Sequence, residues 1–217
     1  MALQMPEGMR LAISLGPDFD AHSVWMGTFR SSSQSLLSRG EFGAEVGVPR
    51  LLDTFERFGI TTTWSVPTHS LQTFRQAVEA IVEAGHEVAA HGVYHEYVPK
   101  LDPAEERRLM ELQIEQHERL LGTRPRGYRS PALDVTDVTL DLLDEYGFEW
   151  DSSLMARDFT PYHPRVVTRI DPERGNEFGP PSRVLEFPVH WYLDDFPELE
   201  SLNGSPMMQS NQTVLAR

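Results

Sequence analysis

The sequence predicts an α/β fold of parallel β/α units, closed into a barrel or open. Three observations predict it. Short apolar or β-branched runs alternate with amphipathic stretches of helical length, glycines close the amphipathic stretches, and the chemistry-bearing residues follow the apolar runs. Functional side chains collect at the C-terminal ends of strands in such folds, so these residues are expected on one rim.

Residues 10–16 (RLAISLG), ending in Gly-Pro, read as a buried first strand. Residues 46–58 place Val48, Leu51, Leu52, Phe55 and Phe58 on one helical face, with Gly59 as the stop. The β-branched and aromatic run 60–66 predicts a strand. Residues 70–84 predict a helix with Leu71, Phe74, Val78, Ile81 and Val82 inward, closed by Gly85, and 86–91 is the next strand. Asp102-Pro103 is an N-cap followed by proline at the first helical position, opening a helix over 102–121. Residues 127–131 end a strand, 135–146 form a helix closed by Gly147, and 148–153 and 183–189 are further strands. The polar, Pro- and Gly-bearing stretch 157–182 reads as a long loop over the sheet. Beyond Asp194-Asp195 the periodicity fades, and a closed barrel needs more strands than these six. The organisation expected is one domain over 8–200, with 201–217 a divergent or truncated tail.

Composition limits the function classes. The net charge of −14 disfavours nucleic acid and anionic membranes as partners. No run approaches the ~20 apolar residues of a membrane span, and the first residues lack a signal peptide's apolar core. With no cysteine, disulfides, thiolate metal sites and a cysteine nucleophile are excluded, which suits a reducing cytoplasm. A cytoplasmic location is therefore the default expectation.

Two clusters carry the chemistry: Asp18-Phe19-Asp20 after the first run, and His91-Gly92-Val93-Tyr94-His95 after the third. Two imidazoles and one carboxylate are a usual ligand set for a catalytic divalent ion, leaving a position open for water. His95 would reach the face of His91 through one helical turn. A second carboxylate can act as general base, with an arginine such as Arg129 holding it ionised. Each piece has a plainer reading. Asp-x-Asp after a strand is commonly a cap or turn, His-x3-His recurs by chance, and Arg129 fits a structural ion pair. Asp151 before two serines reads as a helix cap, and His22, His69, His86, His117 and His163 lack partner spacing. Joint occurrence in order is what favours a site.

The series DFD (18–20), HGVYH (91–95), YRSP (128–131), DSS (151–153) and LEFPVHWYLDD (185–195) resembles the polysaccharide deacetylases of the NodB-homology type. It is most similar to their intracellular peptidoglycan-deacetylase-like and allantoinase-like branch. The stretch 38–64 resembles that branch too. The resemblance implies a deformed (β/α) barrel, incomplete at its C-terminal end if the divergence there is real. It implies Asp18 as general base, Asp20, His91 and His95 as ligands of a divalent ion (zinc first), Arg129 as the group orienting the base, and the Ala132 N–H as oxyanion donor. The reaction implied is hydrolysis of a C–N amide bond, in an N-acetylated sugar or a cyclic amide or ureide, by a chain that self-associates. The family's late histidine, which protonates the leaving nitrogen, has no counterpart after His190. The alternative is therefore a truncated, catalytically weak relative that binds a metal or ligand.

Overall fold

The computed structural model describes residues 7–199, so the tail at 201–217 lies outside the described residues. Its centre is a five-stranded parallel sheet. The strands, in the order in which they lie side by side, are β1 (Thr63–Val66), β2 (Glu87–Ala90), β3 (Gly127–Tyr128), β4 (Trp150–Asp151) and β7 (Leu185–Glu186). Every neighbouring pair runs parallel, with Ala90 opposite Tyr128 and Asp151 opposite Glu186. This is the parallel α/β architecture expected, and the described sheet is open.

The helices are α1 (Ser23–Met26), α2 (Gln34–Phe42), α3 (Val48–Phe58), α4 (Thr68–Thr73), α5 (Arg75–Glu83), α6 (Pro103–Leu121), α7 (Thr139–Tyr146) and α8 (Phe196–Leu199). A π-helical turn, Gly43–Gly47, joins α2 to α3. Where the signals are local, expectation and structure agree. The Asp102 carboxylate accepts the Glu105 N–H at the start of α6, and Gly59 and Gly147 close α3 and α7 in the left-handed conformation. The helix expected over 70–84 is broken at Phe74, whose φ/ψ of −117°/50° leaves the helical region. Leu51, Phe58 and Val82, expected inward, are exposed.

Apolar side chains form two cores. Val48, Phe55, Trp64, Val66, Leu71, Val78 and Ile81 pack α3 and α5 against β1. Met110, Ile114, Tyr128, Leu140, Leu143 and Val184 join α6 and α7 to the other end of the sheet. Such burial is the main driving force for the fold.

Two segments correct the sequence expectation. Residues 10–16 form no strand: Leu11 and Ile13 are 71% and 75% exposed. The chain meets the sheet only at Asp18, opposite Ser65, through Phe19 N–H to Ser65 O at 2.9 Å and Ser65 N–H to Pro17 O at 3.0 Å. One parallel bridge orients Asp18 without extending a ladder. Residues 157–182 are not a plain loop, since β5 (Arg165–Arg169) and β6 (Glu177–Pro181) pair as an antiparallel hairpin. Among the described residues no helix is long and apolar enough to cross a membrane.

Candidate functional site

The first bridge of the sheet and the end of β2 bring the two clusters together. Phe19 is buried in the first core and pins the Asp18-Phe19-Asp20 backbone, so the flanking carboxyls turn away from it. His91 follows the last residue of β2. No helical turn forms between His91 and His95, which corrects the expectation. Instead the backbone wraps around the buried Glu96 carboxylate, which accepts the N–H groups of Val93 (2.9 and 3.1 Å) and Tyr94 (2.9 Å). Gly92 makes this possible: its φ is +73°, and a Cβ there would lie 2.9 Å from the Glu96 oxygens. Gly27 serves the same loop from α1, because a Cβ on it would meet Tyr94 O at 2.1 Å and His95 O at 2.3 Å.

The result is a three-residue cluster. Asp20 Oδ1 lies 3.3 Å from His91 Nε2, Asp20 Oδ2 lies 3.3 Å from His95 Nε2, and the three ligand atoms fall within 4.8 Å of one another. Both rings are tied from behind. His91 Nδ1–H donates to Arg129 O at 2.7 Å, and His95 Nδ1–H donates to Thr28 Oγ1 at 2.6 Å, while the Thr28 hydroxyl donates to His95 O at 3.1 Å. These bonds assign the proton to Nδ1 and turn each Nε2 lone pair toward Asp20, the usual outer support of metal-binding histidines. Asp20 Oδ1 is buried and accepts no hydrogen bond from the described residues. Two inward lone pairs and an unpartnered carboxylate oxygen fit a divalent cation.

Electrostatics agree with that fit. Burial pushes the Asp20 carboxyl up, but His95, His91 and Arg129 outweigh it and hold the group below its ordinary value. Burial lowers His95, so its imidazole favours the neutral form that ligates. Burial also opposes the charge on His91, yet Asp18 and Asp20 raise it.

Beside the cluster, Asp18 Oδ1 accepts from Arg129 Nη1 at 2.7 Å. The guanidinium also donates through Nη1 to Gly16 O at 3.1 Å and through Nε and Nη2 to the backbone and hydroxyl oxygens of Ser152 at 3.1 and 3.0 Å. Burial opposes its charge, but Asp18, Asp151 and Asp194 keep it charged. Ala132 takes a left-handed φ of +57°, and its N–H has no intramolecular acceptor among the described residues. Non-glycine residues enter that region at a cost of order 1–3 kcal/mol, a recurrent mark of functional sites.

All six residues singled out by sequence, Asp18, Asp20, His91, His95, Arg129 and Ala132, line one cavity of about 1170 Å³. Phe29, Phe159, Phe187, Trp191, His190 and Asp194 are among its other walls. Burial, then Asp18 and Asp195, push the Asp194 carboxyl up, and both members of the sequence's Asp-Asp pair line the cavity. Asp151 corrects its helix-cap reading: it is fully buried in the sheet beside Glu186. Thr28, Glu96 and Ser152 went unnoticed in the sequence. Thr28 and Glu96 sit in no motif and Ser152 stands in the DSS stretch without an assigned role; only the folded chain shows what they hold.

The polysaccharide deacetylase family model matches residues 40–150. The peptidoglycan deacetylase of Helicobacter pylori is 37% identical over 207 residues, covering 90% of this chain and 71% of its own. A peptidoglycan deacetylase-like protein of Gibberella zeae is 36% identical over 215 residues, covering 92% of this chain and 64% of its own. This chain thus spans about two thirds of their lengths. A crystal structure from Mycobacterium smegmatis, assigned to the polysaccharide deacetylases, superposes with a TM-score of 0.84 at 30% identity. The match covers 99% of this chain and 72% of that one.

Proposed function

The chain belongs to the polysaccharide deacetylase family, and from that premise we propose that it hydrolyses the N-acetyl C–N bond of an amino sugar in a peptidoglycan-type glycan. The observation that carries the proposal is the convergence of Asp20, His91 and His95, with both histidine tautomers fixed from behind, beside the Asp18–Arg129 pair.

Asp20, His91 and His95 would hold the divalent ion, and two imidazoles with one carboxylate suit zinc. When bound, such an ion supplies a Lewis acid for the amide carbonyl and lowers the pKa of water. The chain's own residues do the rest. Asp18, aimed by its hydrogen bond from Arg129, takes the proton from the attacking water. The free N–H of Ala132 receives the oxygen that gains negative charge. Asp194 faces the same cavity with its carboxyl pushed up, and returns a proton to the leaving nitrogen. Trp191 and the phenylalanines of the wall give apolar faces for sugar rings to lie against.

The test pairs elemental analysis of the purified protein with acetate release from N-acetylglucosamine oligomers and from a cyclic ureide. One divalent ion per chain and acetate release are expected. A chain without bound ion sinks the proposal, and ureide turnover alone reassigns the substrate. Self-association and a cytoplasmic location belong to the same proposal, decided by sedimentation and by fractionation of the source cells.

A further inference from the structure

We propose that Asp151 and Glu186 share one proton in the sheet behind the site and act as positioning residues for Arg129. The proposal rests on the assignment of Asp18 and Arg129 made above, and goes beyond it to what fixes the arginine.

Hydrogen-bond accounting leads to it. Asp151 on β4 and Glu186 on β7 are register partners, and both are fully buried. Glu186 Oε1 accepts the N–H groups of Ser153 and Leu154, each at 3.0 Å. Asp151 Oδ1 accepts the Ser153 hydroxyl at 2.6 Å, and that hydroxyl oxygen accepts the Ser130 N–H at 2.9 Å. One oxygen on each side chain, Asp151 Oδ2 and Glu186 Oε2, has no donor among the described residues. Two buried carboxylates with one orphaned oxygen apiece would repel and lack solvation. A single proton between those oxygens turns two liabilities into one strong hydrogen bond. Burial and Asp151 push the Glu186 carboxyl up to about 10, so Glu186 is the donor at neutral pH. The other titratable groups facing the pair are Arg129, Tyr128 and Tyr162; both phenols are raised and Arg129 stays charged.

The consequence lies one residue away. Ser152 supplies two of the acceptors that orient the Arg129 guanidinium, and it sits between Asp151 and Ser153. Asp151 is bonded to Ser153, and the N–H groups of Ser153 and Leu154 are bonded to Glu186. The peptide that aims Arg129 at Asp18 is thereby clamped on both sides by one carboxyl pair.

Glu186→Gln keeps the acceptor oxygen and replaces the O–H by an N–H that cannot dissociate. In this variant kcat at neutral pH and KM are expected to stay near wild type, while the loss of kcat on approaching pH 10 is relieved. Glu186→Leu, which removes donor and acceptor, is expected to lower kcat by roughly 10²-fold with KM and ion content little changed, as misplacement of a catalytic group does. Infrared difference spectra, wild type minus Glu186→Gln near neutral pH, are expected to show the C=O stretch of a protonated carboxyl. Absence of that band overturns the shared proton, and a Gln variant as damaged as the Leu variant overturns the positioning role. Should the Leu variant not fold, the Gln profile and the spectrum decide alone. The band is read without substrate, so a chain that hydrolyses nothing still tests the pair.

Discussion

At His95 the decisive contact lies outside the ligand set. The ring is held in a left-handed backbone turn, φ +57°, and Thr28 secures both its Nδ1 and its carbonyl. Thr28→Val should therefore weaken ion affinity by about 10–100-fold, the usual effect of losing such outer support, in a competition titration with a chelating dye. His91→Ala or His95→Ala should abolish stoichiometric ion in elemental analysis. Asp18→Asn should retain the ion and lose turnover by roughly 10²–10⁴-fold, and unchanged ion content in both histidine variants would defeat the site assignment. The residues that touch the reaction were legible because their types and order are constrained by chemistry. The roles of Thr28 and Ser152 were not, since a hydroxyl that braces an imidazole or a guanidinium through a tertiary contact leaves no local pattern.

Among the elements, those whose cause is local were readable. The Asp102 cap and Pro103 open α6 as expected, and Gly122 closes it in the left-handed conformation. The failures share a cause, which is that tertiary contacts decided the backbone. RLAISLG has a strand's composition but forms no strand, the ladder being met only at Asp18 beyond it, and the His91–His95 loop owes its path to Glu96 and Gln113. The hairpin at 165–181 escaped notice because its exposed faces carry charged pairs such as Arg169–Glu177 rather than an apolar stripe. One helix carries a hidden acid sensitivity. His117 on α6 is buried, its Nε2 has no partner among the described residues, and burial lowers its pKa to about 4. The unfolded chain binds this proton at higher pH than the folded one. Stability present above pH 6.5 is thus lost as pH falls toward 4, by up to about 3 kcal/mol. Chemical denaturation across that range should show the loss, and His117→Leu should flatten it.

For the whole molecule, ligand linkage gives the broadest check. An ion that binds only the folded chain raises unfolding free energy by about 4 kcal/mol at a thousand times its Kd. Melting curves should accordingly shift down on chelation in wild type and stay put in His91→Ala. The parallel fold was foreseen from alternation alone, because each β/α unit buries its own apolar stripe against the sheet. The exposed Leu11 and Ile13 were not, since burial depends on what the rest of the molecule lays over them. The Arg129 fork joins residues 16 and 18 to 152, atoms more than a hundred residues apart in the chain. Each sheet pairing from β1 to β4 spans far fewer residues, and loops close more slowly as they lengthen. During refolding, ellipticity and tryptophan burial should recover first, and catalytic competence should lag them as the final clasp shuts. Any unfolding that begins at the N-terminal segment would silence the enzyme while leaving most of its architecture standing.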